Sequence, residues 1–514
     1  MSGPLDVAVL VICAAGVAVA GLRWLRVAQR EHYIAGRARR IAALWLSRSR
    51  VDLALAVMAG LLALVACVRP WGAAALGAAL LGAAVPLRLG VRGRTSRLSW
   101  TARLRRLVGV WAALQLVLGA GLVLLLGPGA LALLVVGVPL TMDAALGVTE
   151  VLERRLSAPF VEQAQRRLAR VRPQVVAITG SYGKTSTKGY IAHVLSASTA
   201  VVASPASFNN RLGLSRAVND TLVDGTEVFV AEMGTYGPGE IRELCRLFPP
   251  DVAVITTIGE AHLERMGTRE TILAAKSEIT ERAATVVLPV DTAELAGLAE
   301  RCRAQGKRVI TCSTTGVPAE VMVDLEGREV RVDGADGGTQ VLTVGEGVSH
   351  GVNLGVALGV CLAVGADVAS AASRLSSLPR AAHRAEVQDT GSGVLVVDDT
   401  YNANPTGAHA ALAEAAGLAR NRGGSLVVVT PGMVELGHVQ HRRNADFARA
   451  VADAGGDIVV VGRTNRAALV EGATAGGMTP TVVDERSQAV PLATAKAGTA
   501  GVILYENDLP DHYP

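Results

Sequence analysis

The sequence predicts an α-helical membrane region followed by two α/β units, a central domain built on a phosphate-binding loop and a Rossmann-like C-terminal domain. Three observations carry that expectation. Five apolar segments fill the first 150 of the 514 residues, and 50% of the chain is hydrophobic, which is high for a soluble enzyme. An apolar run at 175–178 leads directly into Thr179-Gly180-Ser181-Tyr182-Gly183-Lys184-Thr185. Beyond it, short β-branched runs alternate with helical stretches, the pattern of parallel sheets with crossover helices.

The apolar segments are 5–22, 51–68, 71–87, 108–126 and 130–148, each about long enough to cross a ~30 Å hydrocarbon core. They lack the polar face that a soluble bundle helix presents to water. No basic stretch precedes the first, and Arg23, Arg26 and Arg30 follow it, so it reads as a span with its N-terminus outside and not as a cleaved leader. The arginine-rich stretches 23–50 and 88–106 are then cytoplasmic, while Arg69-Pro70 and Gly127-Pro128-Gly129 turn outside. Segments two and three, joined at Arg69-Pro70, are the candidate re-entrant pair. An odd number of spans delivers residue 150 onward to the cytoplasm, so the expected location is a multi-pass plasma-membrane protein with its catalytic part inside.

Charge follows the same division. Residues 1–172 carry 22 basic and 7 acidic side chains, and the remainder carries 28 and 38, so the net +5 averages a basic membrane flank and an acidic soluble part. It calls for a bilayer as partner and for no nucleic acid. The six cysteines are scattered without a CxxC pair and read as small buried hydrophobes, with neither a zinc site nor a disulfide framework.

Four regions result: a membrane region 1–149, an amphipathic linker helix 150–173, a central ATP-binding domain 174–380 and a C-terminal domain 381–514. In the central domain strands are expected at 175–178, 228–232, 252–256, 286–289 and 309–311, with a β-hairpin insert over 318–345 marked by its Gly-rich turns. A second alternating pattern places strands at 393–397, 425–430, 457–461 and 501–505.

The loop carries the chemistry. Gly180, Ser181 and Gly183 expose backbone N–H groups to a nucleotide's phosphates, Lys184 adds one ammonium, and the Thr185 hydroxyl suits Mg²⁺, with Ser186 in the same turn. Only two residues separate Gly180 from Gly183, where the ordinary GxxxxGK[ST] loop has four. Only five of the 50 Lys+Arg residues are lysine (Lys184, Lys188, Lys276, Lys307, Lys496), so each remaining lysine marks a place where a compact charge or a titratable amine is wanted. Glu232 ends the apolar run 228–231, where a carboxylate points into the ligand crevice and suits Mg²⁺. His262 follows the run 252–256 and is a candidate metal ligand; alone, it would more often be structural. Asp398-Asp399-Thr400-Tyr401-Asn402-Ala403-Asn404-Pro405 closes another strand with acids and amides that suit ribose or phosphate but also form ordinary turns.

Taken together, the loop TGSYGKTSTK, Asn209-Asn210-Arg211-Leu212-Gly213, AEMG, GEAHLERMG with the Lys276 helix, and DDTYNANP resemble the Mur ligases over roughly residues 170–470. Within them the YNANP stretch is most similar to the branch that adds D-Ala-D-Ala to a UDP-muramoyl tripeptide. The resemblance implies an ATP-dependent amide ligase that works through an acyl phosphate in cell-wall synthesis. By the same resemblance Lys184, His262 and Lys276 are catalytic, and Thr185 and Glu232 hold one Mg²⁺. His262 and a carbamylated Lys276 hold a second. Asn353, Arg384 and Asp399 contact the nucleotide, and Asn209, Asn210, Tyr401, Asn402 and Asn404 contact substrate. The implied partners are ATP, a muramoyl-peptide carboxylate, free or lipid-linked, and an amine, D-Ala-D-Ala or an amino acid.

The chain also departs from the family. Ser349-His350 stands where His-Asn is usual, the membrane region occupies the place of the UDP-sugar domain, and the ending Tyr505-Glu506-Asn507-Asp508-Leu509-Pro510-Asp511 lacks the basic-glycine loop. Two further readings are an amino-acid ligase of polyglutamate type and a nucleotide-binding scaffold without catalysis. The presence of Lys184, Thr185, Glu232, His262 and Lys276 together argues against the scaffold.

Overall fold

The computed structural model describes residues 4–68, 71–92, 98–334, 337–345, 348, 350–379, 386–389, 391, 393–400 and 404–514. The chain divides into two compact units. A helical unit comprises Met1–Ser157 with Gly462–Arg466 and Asp508–Pro514, and an α/β unit comprises Ala158–Val461 with Ala467–Asn507.

The helical unit contains α1 (Pro4–Arg30), α2 (Arg37–Arg48), α3 (Arg50–Val68), α4 (Gly72–Ala84), α5 (Ala102–Leu126), α6 (Ala132–Val136) and α7 (Val138–Leu156). Three of these, α1, α3 and α5, are long and apolar enough to cross a membrane, or four if the bent stretch 128–156 counts as one span. The expectation of five full spans is therefore too simple. With 13 residues, α4 reaches only about 20 Å at 1.5 Å per residue. The fifth segment bends by 73° between its two helices. Gly137 and Pro139 explain the bend, because Gly137 ends α6 and Pro139 has no N–H to continue the ladder.

The packing gives the bundle two distinct ends. At one end Gly72 lies against Leu5, and Gly129 lies against the carbonyl of Ala66. At the other, Arg23 donates to the carbonyls of Ala83 and Ala84, Arg26 to that of Gly90, and Gln29 to that of Ser99. The arginines thus gather at one end. There Asp143 of α7 accepts the N–H groups of Ala38 and Arg39, both at 3.0 Å, so a carboxylate caps the N-terminus of α2, whose own N-cap is a glycine. The last seven residues also belong to this end. Asp511 pairs with the buried Arg26 at 2.5 Å, the fully buried His512 ring lies 2.9 Å from Glu31, which also pairs with Arg37, and Trp45 donates to the His512 carbonyl. Of the acidic ending, Asp511 is therefore occupied by Arg26 inside the helical unit.

The expected linker helix is two helices, because α7 stops at Leu156 and α8 (Ala158–Val171) begins after Ser157. Buried Ala164 and Leu168 of α8 join the same core as Leu214, Ala217 and Val218, and Arg167 donates to the carbonyls of Leu222 and Asn219. It is a surface helix of the α/β unit.

That unit contains two sheets. The first has strands β1 (Gln174–Thr179), β2 (Val201–Ala203), β3 (Val228–Glu232), β4 (Val252–Ile255), β5 (Thr285–Pro289), β6 (Arg308–Ser313), β7 (Val321–Asp324), β8 (Glu329–Asp333) and β9 (Thr339–Thr343), in the order β2-β3-β1-β4-β5-β6-β7-β8-β9. β1 to β7 pair in parallel, and the expected insert appears as the antiparallel meander β7-β8-β9 on one edge. Full burial of β3 and β4 explains why they read as continuous apolar runs with no alternation. The second sheet has β10 (Glu386–Asp389), β11 (Leu395–Asp399), β12 (Leu426–Thr430), β13 (Asp457–Val461), β14 (Thr481–Val483) and β15 (Val502–Glu506), ordered β10-β11-β15-β12-β13-β14, parallel except at the β10 edge.

Candidate active site

Two neighbouring parallel strands of the first sheet, β1 and β4, build the loop. Gly180 has φ +152°, and a Cβ there would stand 1.9 Å from the Thr256 hydroxyl at the end of β4. Gly183 has φ +80°, and a Cβ there would meet the Asn353 side-chain oxygen at 2.7 Å. Both positions therefore require glycine. Between them the loop is stitched to the chain beyond β4: Ser181 N–H donates to the Thr257 carbonyl, Tyr182 N–H to the Thr257 hydroxyl, and Gly259 N–H to the Ser181 hydroxyl. The Tyr182 phenol, pushed up to about 12 by burial and next by nearby Glu260, accepts the Ala261 N–H at 3.0 Å.

Lys184 opens the helix Lys184–Leu195, and its Nζ donates to the Gly180 carbonyl at 2.8 Å. Lys276, from the helix Arg269–Ser277, donates to the same carbonyl at 3.1 Å. Two amines thus share one acceptor. Lys276 is 1% exposed, and burial, with the Lys184 charge second, holds its ammonium well below the usual lysine range.

The Thr185 hydroxyl donates to Glu232 Oε2 at 3.0 Å, and Lys188 donates to the same oxygen at 3.0 Å. Asn209 donates to Glu232 Oε1 at 3.3 Å, and the Ser204 hydroxyl accepts the Glu232 N–H. Glu232 is 1% exposed, and its charge is held by one buried lysine and two polar side chains, Thr185 and Asn209. The hydroxyl and carboxylate oxygens together form the hard-oxygen donor set that Mg²⁺ takes beside a nucleotide's phosphates. Among the described residues no cluster of three or more His, Cys, Asp or Glu is present, and a phosphate-bound Mg²⁺ needs none.

His262 lies in the left-handed region (φ 63°) at the start of the helix Leu263–Met266. Its Nδ1 is 2.8 Å from Glu435 Oε2, Arg265 also binds Glu435, and Tyr236 packs edge-on against the imidazole at 5.4 Å and beneath the Arg265 guanidinium at 4.3 Å. Nearby, Arg443 grips Glu260 with two hydrogen bonds of 2.8 and 2.5 Å.

The remaining expected residues take different places. Ser186 sits in the first turn after Lys184. Asn353 is buried, and its Oδ1 accepts the Thr187 hydroxyl at 3.0 Å, supporting the loop from beneath. Asn210 and Asn404 are helix N-caps, accepting the N–H groups of Gly213 and Gly407. Asp399 ends β11 in register with Glu506, which is fully buried, accepts the Thr430 hydroxyl, and has its carboxyl pushed up to about 8 by burial. Arg384, Tyr401 and Asn402 lie outside the described residues. The sequence marks Lys188 only as one of the five lysines and gives no role to Glu260, Glu435 or Arg443. Glu435 lies in the loop after β12, five residues past the strand's end, and carries no signal like that of Glu232, which ends its strand.

A parallel sheet with a short glycine-lysine-threonine loop, joined to a second Rossmann-like sheet, defines an ATP-dependent Mur ligase, an acid–amino-acid ligase. Residues 178–357 match the Mur ligase middle domain and residues 383–505 the Mur ligase glutamate ligase domain, and the chain belongs to the Mur ligase family. Its relatives are MurF ligases. The UDP-N-acetylmuramoyl-tripeptide–D-alanyl-D-alanine ligase of Mycobacterium leprae is 32% identical over 444 residues, covering 76% of this chain and 84% of the relative. MurF from Acinetobacter baumannii is similar in structure, with a TM-score of 0.57 and 25% identity over 68% of this chain and 77% of that one. MurF from Thermotoga maritima, solved in complex with ADP, shares the fold with a TM-score of 0.55 and 24% identity over 68% and 80% of the two chains.

Proposed function

We propose that this chain forms an amide bond in cell-wall synthesis at the cytoplasmic face of the plasma membrane, joining the terminal carboxylate of a muramoyl tripeptide, free or lipid-linked, to D-Ala-D-Ala. A carboxylate oxygen attacks the γ-phosphorus of ATP, giving an acyl phosphate and ADP. The amine, having lost a proton, attacks the acyl carbon, and phosphate leaves with the bonding pair. The observation that carries this reading is the convergence of Lys184 and Lys276 on the Gly180 carbonyl, in the loop that also presents Thr185 to Glu232.

Each residue has a task in this sequence. Lys184 swings from the Gly180 carbonyl to the transferred phosphoryl group and stabilises the charge that develops there. Thr185 and Glu232 would hold a Mg²⁺, with Lys188 and Asn209 fixing the carboxylate. When bound, Mg²⁺ supplies charge neutralisation at the phosphates. Lys276, whose ammonium is disfavoured by burial and then by the Lys184 charge, would as the free amine add to CO2 and lose a proton to become a carbamate. That change would give Lys276 an oxygen ligand for a second Mg²⁺, for which His262 would be the other protein ligand. Gly180, Ser181, Gly183 and Ser186 cradle the phosphates. Asn353, Arg384 and Asp399 would serve the nucleotide, and Asn209, Tyr401 and Asn402 the substrate, with Asn210 and Asn404 acting through the helices they cap.

The helical unit supports the location. Its arginine-bearing end, where Arg23, Arg26 and Arg106 lie and from which Ser157 departs, suits the cytoplasmic face, with Pro4 at the outer face. Purified full-length protein offered UDP-muramoyl tripeptide, its lipid-linked form, or glutamate, each with ATP and D-Ala-D-Ala or another amine, should yield the dipeptide-extended muramoyl product by mass. Extension of glutamate alone would overturn the assignment.

A further inference from the structure

His262 and Glu435 lie in segments that follow strands of different sheets, β4 and β12, 173 residues apart in sequence, and meet at 2.8 Å. Both lie in the left-handed region, His262 at φ 63° and Glu435 at φ 64°. A non-glycine residue there costs about 1–2 kcal/mol, and it persists where surrounding contacts over-determine it. Those contacts are present. Glu264 N–H donates to the Glu435 carbonyl at 3.1 Å, Arg265 binds the Glu435 carboxylate, and Gly437 packs so closely that a Cβ would lie 3.1 Å from the Glu264 backbone. Tyr236 supports the ring of His262 and the guanidinium of Arg265 together. A second clasp, Arg443 on Glu260, fastens the same two segments.

The contact has a chemical consequence. A carboxylate only accepts hydrogen bonds, so the proton of a neutral His262 must sit on Nδ1, which leaves the lone pair on Nε2. A carboxylate on the far nitrogen also makes an imidazole a better metal ligand. We propose that Glu435 is a positioning residue contributed by the C-terminal domain, which fixes the tautomer of His262 and thereby makes the second cation site depend on that domain being in place. The inference rests on the reading of His262 as a cation ligand. It adds that cation binding and the seating of the C-terminal domain are one event, so the site is complete only when both sheets face it.

The test uses the full-length protein in detergent with a non-hydrolysable ATP analogue, and Mn²⁺ binding counted by electron paramagnetic resonance. Wild type should hold two Mn²⁺ per chain. E435A should keep one at unchanged affinity and weaken the other about 10- to 100-fold. E435Q, whose amide oxygen still accepts the Nδ1 proton, should recover most of that loss. Equal Mn²⁺ binding by E435A and wild type would overturn the proposal. So would loss of both cations and the nucleotide together with no recovery in E435Q, because the role would then be structural. H262A separates the two readings: if it leaves two Mn²⁺ bound, His262 is no ligand and the metal reading fails whatever Glu435 does.

Discussion

Replacing Lys188 by methionine tests how the buried Glu232 charge is held. Lys188 and Glu232 form an ion pair of 3.0 Å with side-chain exposures of 6% and 2%. Removing one partner of such a pair leaves a buried charge uncompensated, which costs about 3–5 kcal/mol. Thr185 and Asn209 still donate to the carboxylate, so the low end, about 3 kcal/mol, is expected for K188M. For a domain of roughly 200 residues that corresponds to a fall in melting temperature of about 10 °C. The assay is thermal unfolding of the nucleotide-free protein in detergent, extended to a double-mutant cycle. E232Q removes the charge that Lys188 balances, so K188M/E232Q should recover about 2 kcal/mol relative to the sum of the single losses. Melting of K188M within 2 °C of wild type, or strict additivity in the cycle, would refute the reasoning.

Three other expectations accompany it. Lys276→Ala should lower turnover roughly 100-fold, and short-chain carboxylic acids, standing in for the carbamate, should restore part of it, whereas full activity without rescue would exclude the carbamate. The native state holds Lys276 less protonated than the unfolded chain does, so the wild-type protein should gain stability as pH rises from the depressed native pKa toward about 10.4. K276M should lack that slope, being the more stable protein at the acid end of the window and losing its advantage near pH 10. Gly180→Ala forces a Cβ to 1.9 Å from the Thr256 hydroxyl, so nucleotide binding should fall more than about tenfold while the far-ultraviolet spectrum is kept. Asp511→Ala strands the 1%-exposed Arg26 and should cost the helical unit about 3 kcal/mol in thermal unfolding, with a tryptophan fluorescence shift as Trp45 loses the His512 carbonyl.

The phosphate loop was legible in the sequence because its constraints are local. Two glycines at fixed spacing after a buried strand can be recognised without knowing what lies opposite, and Glu232 was legible as the end of another such strand. Glu435 was not, because its partner is fixed by the meeting of two sheets and not by any spacing. Asn210 and Asn404 show the ambiguity of residue type, since the side chain that suits a substrate amide also caps a helix, and both do the latter. In the helical unit hydropathy found every apolar segment. It did not show that Gly137 and Pro139 bend the last or that α4 is short, since composition reports apolarity and not the path of the backbone.

The central claim is that ATP activates a peptide carboxylate as an acyl phosphate. The most direct test supplies UDP-muramoyl tripeptide labelled with ¹⁸O in its terminal carboxylate, together with ATP and D-Ala-D-Ala, to the purified full-length protein, and reads the mass of the released phosphate. One ¹⁸O should appear in phosphate for each amide bond formed, because the oxygen that attacks phosphorus leaves with it. Amide formation with unlabelled phosphate would contradict the account.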